Sequence, residues 1–207
     1  PQAELVPAAI DDLVRFVARE DIPPIIQAAV AHAQFETIHP FGDGNGRTGR
    51  ALVHALLRGK GMTRSTTIPV SAGLLTDTQR YFDALTAFRE GDAAPIIERL
   101  AFASRYASIS GRRLIDELDA VLIDARTRTA HLRADAAALR LIPALIGQPV
   151  INVKFARQAL GTNDMTAQRA IAALVDAGVL TERTGLRRNR VYQQEDVIAA
   201  LESFAQR

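Results

Sequence analysis

Twelve consecutive residues constrain this chain more than any other stretch: His39-Pro40-Phe41-Gly42-Asp43-Gly44-Asn45-Gly46-Arg47-Thr48-Gly49-Arg50. They hold one imidazole, one carboxylate, one side-chain amide, two guanidiniums and four glycines. Apolar residues at helical spacing lie on both sides. Glycines let a backbone approach a ligand closely and adopt φ values closed to other residues. A helix that starts inside such a loop presents free N–H groups to an anion. The stretch reads as a phosphate-handling loop with a histidine at one end.

The 207 residues suffice for one large domain or two small ones, and 48% are hydrophobic, enough for a sizeable core. The absence of cysteine removes disulfides and thiolate metal sites, which suits a reducing, cytoplasmic setting. The apolar runs are too short to span a membrane, and no signal-peptide pattern opens the chain. It opens on Pro1, the expectation being a fragment or a processed product. Net charge is −3 over residues 1–125 and +5 over residues 126–207. That shift predicts two domains with different partners.

Residues 1–8 read as an extended arm, followed by a helix over 10–18. A second helix starts near Pro23-Pro24 and runs to about Ile38, with Ile26, Val30, Ala33, Phe35 and Ile38 on its apolar face. Pro40 stops it, which leaves His39 at the helix end facing the loop. Ala51–Leu57 is apolar on nearly all sides and reads as the central buried helix. Ile68-Pro69-Val70 reads as an extended link. Further helices are expected over 76–88, 94–108 and 112–122. The second half adds a helix over 135–146, a strand at 149–152 and helices over 153–160 and 165–177 joined by a compact turn. Strands over 179–183 and 189–192 and a helix over 195–204 close it. That order is a winged helix-turn-helix pattern. The fold class is therefore mainly α: an all-helical domain over 1–125, then a winged helix-turn-helix domain with a small β-ribbon over 126–207.

Imidazole accepts a proton near neutrality, so His39 can deprotonate an incoming hydroxyl. Asp43 is the loop's one carboxylate and fits a phosphate-bound Mg²⁺, which takes one or two protein carboxylates; it also fits a helix N-cap. Asn45 can donate its amide to a phosphate oxygen, with the Gly44 and Gly46 N–H groups unobstructed beside it. Arg47 and Arg50 lie on one face of the first helical turns, and their forks suit outer phosphates. Positive charge there opposes the helix dipole, which a bound anion would offset. Phe41 reads as a core anchor. The loop is neither a Walker sequence nor a dinucleotide fingerprint, since no Gly-Lys-Ser/Thr follows and no strand precedes it.

The stretch resembles the signature of the Fic family, H-P-F-x-[D/E]-G-N-G-R-x-x-R, and matches every fixed position from His39 to Arg50. The similarity in layout extends through Arg80-Tyr81-Phe82-Asp83-Ala84-Leu85, roughly residues 1–125. The resemblance implies a protein adenylyltransferase (a nucleotidyltransferase) that moves AMP from ATP to a Ser, Thr or Tyr hydroxyl of a target protein. It implies catalytic roles for His39, Asn45 and Arg47, with His39 the general base. Mg²⁺ would sit on Asp43, and ATP on Asp43, Gly44, Asn45, Gly46, Arg47, Thr48, Gly49 and Arg50, with Tyr81 and Phe82 near the nucleoside. Phosphorylating relatives carry lysine at the second motif glycine, so Gly46 favours AMP transfer. Only 38 residues precede His39. The target-clamping flap and the inhibitory helix of the family are therefore expected to be missing. Thr86–Gly91 matches the inhibitory pattern by coincidence.

In the second half, Gln168 and Arg169 on the second helix of the pair, with Arg187, Arg188 and Arg190 on the ribbon, are the candidate DNA contacts. Two other functions stay open: an ATP-sensing DNA-binding regulator, and an enzyme that removes AMP. A homodimer is a further open expectation.

Overall fold

The computed structural model describes residues 2–63, 69–185 and 189–206, apart from the side chain of Leu75. The fold is mainly α, with one small antiparallel sheet. Backbone contacts divide it into two units, residues 1–111 and 112–207.

The first unit is built around α2 (Pro24–Ile38), which is buried on most of its circumference. Ala28, Ala29, Ala31 and Ala33 are fully enclosed, and small side chains let neighbouring helices come close. α1 (Val6–Val17) lays Leu13 against it, with Val6, Ile10, Phe16 and Val17 alongside. The buried Gln27 donates its amide to the carbonyls of Phe16, Val17 and Arg19, which satisfies the end of α1 from within α2. α3 (Asn45–Gly59) contributes one inner face of Gly49, Val53, Leu56 and Leu57. α4 (Val70–Leu75) and α5 (Thr78–Arg89) follow, α5 capped by the Asp77 carboxylate on the Arg80 N–H. The buried Arg99 donates to the carbonyls of Gly73, Leu74 and Asp77 and so closes the end of α4.

Several expectations are corrected here. Residues 3–5 form a 3₁₀ turn and α1 already starts at Val6, because Pro7 falls in the first turn, where no N–H is needed. The central helix is α2, not the 51–57 segment: Ala51 and Ala55 are exposed, so α3 is amphipathic. Ile26, expected on the inner face of α2, is 37% exposed. Val70 begins α4 rather than ending a link, and Ile68 lies outside the described residues. The two helices expected over 94–122 are one, α6 (Ala94–Arg128), since a single interior glycine, Gly111, costs a long helix only about 1 kcal/mol.

The second unit's core gathers Leu141, Ile142, Leu145, Ile151, Ile171, Leu174, Val179 and Leu180. The helix expected over 135–146 is split into α7 (Ala137–Leu141) and α8 (Ala144–Gly147) at Pro143, which cannot continue a helical hydrogen-bond ladder. β1 (Val150–Ile151) leads into α9 (Val153–Leu160) and α10 (Asp164–Asp176). Gly161, at φ 60°, ends α9, and Asn163 caps α10 by accepting from Thr166 N–H. β2 (Thr181–Glu182) and β3 (Tyr192–Gln193) are shorter than expected, and α11 (Glu195–Ala205) ends the unit. The strands pair antiparallel in the order β1-β3-β2, with Ile151 opposite Tyr192 and Thr181 opposite Gln193. No helix among the described residues is long and apolar enough to cross a membrane.

A close helix crossing yields a test. A Cβ on Gly73 would lie 2.5 Å from the Ala103 Cα, a backbone atom that cannot rotate away. Gly73→Ala should destabilise the first unit by about 1–3 kcal/mol, read as a lower midpoint in urea.

Candidate functional site

The loop lies between the end of α2 and the start of α3. His39 caps α2 in a left-handed conformation, φ 48° and ψ 59°, while its N–H still donates to the Phe35 carbonyl at 2.9 Å. Such a conformation is costly for a side chain branching from Cβ to a ring, and strain of this kind collects at functional sites. The imidazole is exposed. Pro40 then prevents any return to helix.

Asn45 folds the loop. Its buried amide accepts from the Phe41 N–H at 3.0 Å and donates to the Phe41 carbonyl at 2.6 Å, closing a ring across the turn. Its first task is therefore to clamp the backbone, beyond the anion contact expected of it. Phe41 is corrected: it is 51% exposed, and its ring meets only the edge of the hydrophobic interior at Phe35, 6.2 Å between centroids. The backbone bonds of Asn45, not a buried Phe41, hold the turn.

Gly44 stands at φ 84° as the residue before α3, where no side chain caps the helix. The first bond within the helix runs from Thr48 N–H to the Gly44 carbonyl, and the Thr48 hydroxyl donates to the same oxygen at 3.1 Å. The N–H groups of Asn45, Gly46 and Arg47 are thus the open donors of the helix start. Asp43 accepts from the Gly44 N–H at 2.6 Å and meets Arg47 at 3.4 Å, with both side chains largely in solvent. The guanidinium of Arg50 curls back toward the loop, with Nη1 3.2 Å from where a Gly46 Cβ would be. Gly49 serves the packing. It is buried, and its missing Cβ would lie 2.5 Å from Glu36 Oε1 and 3.1 Å from His32 Nδ1. Its place is the close crossing of α2 and α3.

Beneath that crossing lies a polar cluster that sequence reading missed. His32 is fully buried, and its Nε2 is 2.9 Å from the Tyr81 hydroxyl. Glu36 is 9% exposed. Burial pushes the His32 ring below the ordinary histidine range, against the opposing pull of Glu36 and the Gly49 backbone. Burial, and after it the charge of Glu36, push the Tyr81 phenol up to about 12. Tyr81 therefore turns its hydroxyl inward, and Phe82, 55% exposed with its ring 5.4 Å from that of Tyr81, is the aromatic open to a ligand. A signal was available: two ionisable side chains one turn apart in an alanine-rich helix.

Among the described residues no three metal-ligating side chains come together. The exposed Asp43 carboxylate has the chemistry to meet a phosphate-bound Mg²⁺.

In the second unit Gln168 and Arg169 are exposed on α10. Arg190 pairs with Glu182 at 3.4 Å, beside a groove of about 870 Å³ that also carries Lys154, Asp164 and Asp176. Arg183 pairs with Glu195 and Arg157 with Asp164. Arg113 and Arg128 also meet carboxylates, at Glu117 and Asp124. Arg187 and Arg188 lie outside the described residues.

Two outcomes follow for the first unit. Glycine adopts the left-handed region freely, so His39→Gly should stabilise it by about 1 kcal/mol, seen as a higher urea midpoint. The unfolded chain protonates His32 near its usual pKa of about 6.5, the folded chain only at lower pH. Stability is then full above about pH 6.5 and falls as pH is lowered. His32→Gln should flatten the decline measured by denaturant titration between about pH 7 and 5; His54, lowered by burial as well, supplies a remaining slope.

Residues 1–57 match the model of the Fic/DOC family. A protein of Aquifex aeolicus (strain VF5) named a probable protein adenylyltransferase is 32% identical over 117 residues, covering 53% of this chain and 32% of that one. The protein adenylyltransferase Fic of Aedes aegypti is 37% identical over 78 residues, 38% of this chain and 14% of that one. That of Caenorhabditis elegans is 35% identical over 101 residues, 47% and 19% respectively. The chain thus spans about a third or less of the length of these relatives. A Fic family protein of Desulfovibrio desulfuricans G20 shares the fold, with a TM-score of 0.51 at 24% identity over 94% of this chain and 56% of that one. The stretch that matches the Fic/DOC family model contains the whole loop from His39 to Arg50.

Proposed function

We propose that the first unit transfers AMP from ATP to a hydroxyl of a target protein. One observation carries the reading: an exposed imidazole fixed at the end of α2, with the uncapped start of α3 following directly in the same loop. The relatives' names as protein adenylyltransferases support it.

In this reading the target's hydroxyl oxygen attacks the α-phosphorus of ATP. His39 accepts the hydroxyl proton as the new O–P bond forms. The bond from the α-phosphorus to the bridging oxygen breaks, and pyrophosphate leaves with its electrons. The N–H groups of Asn45, Gly46 and Arg47 and the Arg50 guanidinium receive the phosphate charge. Asp43 would hold Mg²⁺ together with the phosphates, and the ion would neutralise charge there. Asn45 keeps the loop closed through Phe41. Phe82 offers an exposed ring to the base. Gly46 leaves the Arg50 guanidinium room that a side chain would take.

For residues 126–207 we propose a winged helix-turn-helix module, supported by the tight α9–α10 turn and the antiparallel β2–β3 pair. The exposed Gln168 and Arg169 on α10, Arg190 near the ribbon, and Arg187 and Arg188 outside the described residues remain the residues we propose for a DNA contact.

The experiment is incubation with a cell lysate and ATP labelled at the α- or the γ-phosphate. The α-label should appear on protein hydroxyls and the γ-label should not. His39→Ala should lower labelling by about 10²–10⁴-fold with an unchanged circular dichroism spectrum. Equal labelling by the variant overturns the assignment of the base.

A further inference from the structure

We infer that His32 is a positioning residue: its ring, wedged between Gly49 of α3 and the Tyr81 hydroxyl of α5, sets where the exposed Phe82 ring stands relative to the helix start that receives phosphate. This rests on the reading of the loop as an ATP site.

Two helices meet one imidazole. On the α3 side, Nδ1 lies 3.1 Å and Cε1 3.2 Å from where a Gly49 Cβ would be, so the ring fills the room that glycine leaves. On the α5 side, Nε2 is 2.9 Å from the Tyr81 hydroxyl, and the two ring centroids are 6.0 Å apart. Both contacts are made by one rigid ring. The spacing of α3 from α5 at this level is therefore a ring's width plus one hydrogen bond. The ring is itself held still, because His32 and the flanking Ala31 and Ala33 are fully enclosed in α2.

Each contact leads to the site. Gly49 directly precedes Arg50 in the early turns of α3. Phe82 directly follows Tyr81, and the two rings touch at 5.4 Å between centroids. A displaced Tyr81 would thus carry Phe82 with it. Tyr81 also packs against both apolar clusters of the first unit. Apolar packing is non-directional, whereas a hydrogen bond fixes distance and angle. An imidazole is also a costly choice in this place. Its Nδ1 has no hydrogen-bond partner, and a buried polar atom left alone costs free energy that leucine would avoid. What leucine lacks is the flat ring and the directed bond to α5.

The test uses the full chain and two ligands, MgATP and magnesium tripolyphosphate, with binding read by calorimetry. Tyr81→Phe keeps the ring and removes the hydroxyl. It should weaken MgATP binding by about fivefold, the worth of one hydrogen bond. Tripolyphosphate binding should stay unchanged, since the phosphate turn belongs to α3. Added to Phe82→Ala, Tyr81→Phe should cost nothing further, the non-additivity of groups that act together. No loss with MgATP, an equal loss for both ligands, or additive losses overturn the inference. His32→Gln, whose amide can meet the hydroxyl, should bind MgATP more tightly than His32→Leu; equal affinities count against the bond. Should His32→Leu not fold, Tyr81→Phe decides. A second arm needs no ligand: the α5 amides around Tyr81 should exchange hydrogen about fivefold faster in Tyr81→Phe, and the α3 amides at the wild-type rate. Unchanged exchange in α5 overturns the inference as well. A wild type that binds neither ligand sinks the functional reading above, and the exchange arm then decides whether His32 holds α5 in place.

Discussion

The enclosure of α2 is the constraint on which the first unit depends. Alanines let its neighbours approach closely, and its end emerges at an exposed residue. A helix held on most of its circumference cannot tilt without opening a core, so its last residue is fixed in space. That residue is His39. The same packing fixes α3, because Gly49 admits Glu36 and His32 where a side chain would exclude them. The two ends of the loop are therefore set by interior contacts, and the loop itself has little left to specify.

What remains is achieved with few bonds. Asn45 closes the turn on Phe41, and Gly44 supplies a left-handed step that starts α3 without a cap. The open N–H groups and the bent-back Arg50 bring positive charge to the start of α3. His39 is held strained at the other end of the loop. Strain of this kind persists only where surrounding structure over-determines the conformation, as the enclosed α2 and Pro40 do here.

The second unit follows a different logic. Its core is assembled from α7 to α10 and the short strands, and the sheet contributes only two residues per strand. Several surface arginines are matched by carboxylates on neighbouring elements.

The loop was legible before any coordinates. Its chemistry sits in consecutive residues, and Pro40 and the glycines act through local backbone sterics, which do not depend on distant contacts. Helix ends governed by such rules, at Ile38, Leu160 and Asp176, were legible for the same reason. Burial was not. Periodicity favoured the leucine-rich 51–57 segment as the centre, yet the alanine-rich α2 holds that place, since a central helix needs small residues on every side more than it needs large ones. The continuity of α6, the exposure of Phe41 and the inward turn of Tyr81 are likewise decisions of packing. So is the gathering of His32, Glu36 and Gly49, residues brought together by a helix crossing that no local pattern along the chain encodes.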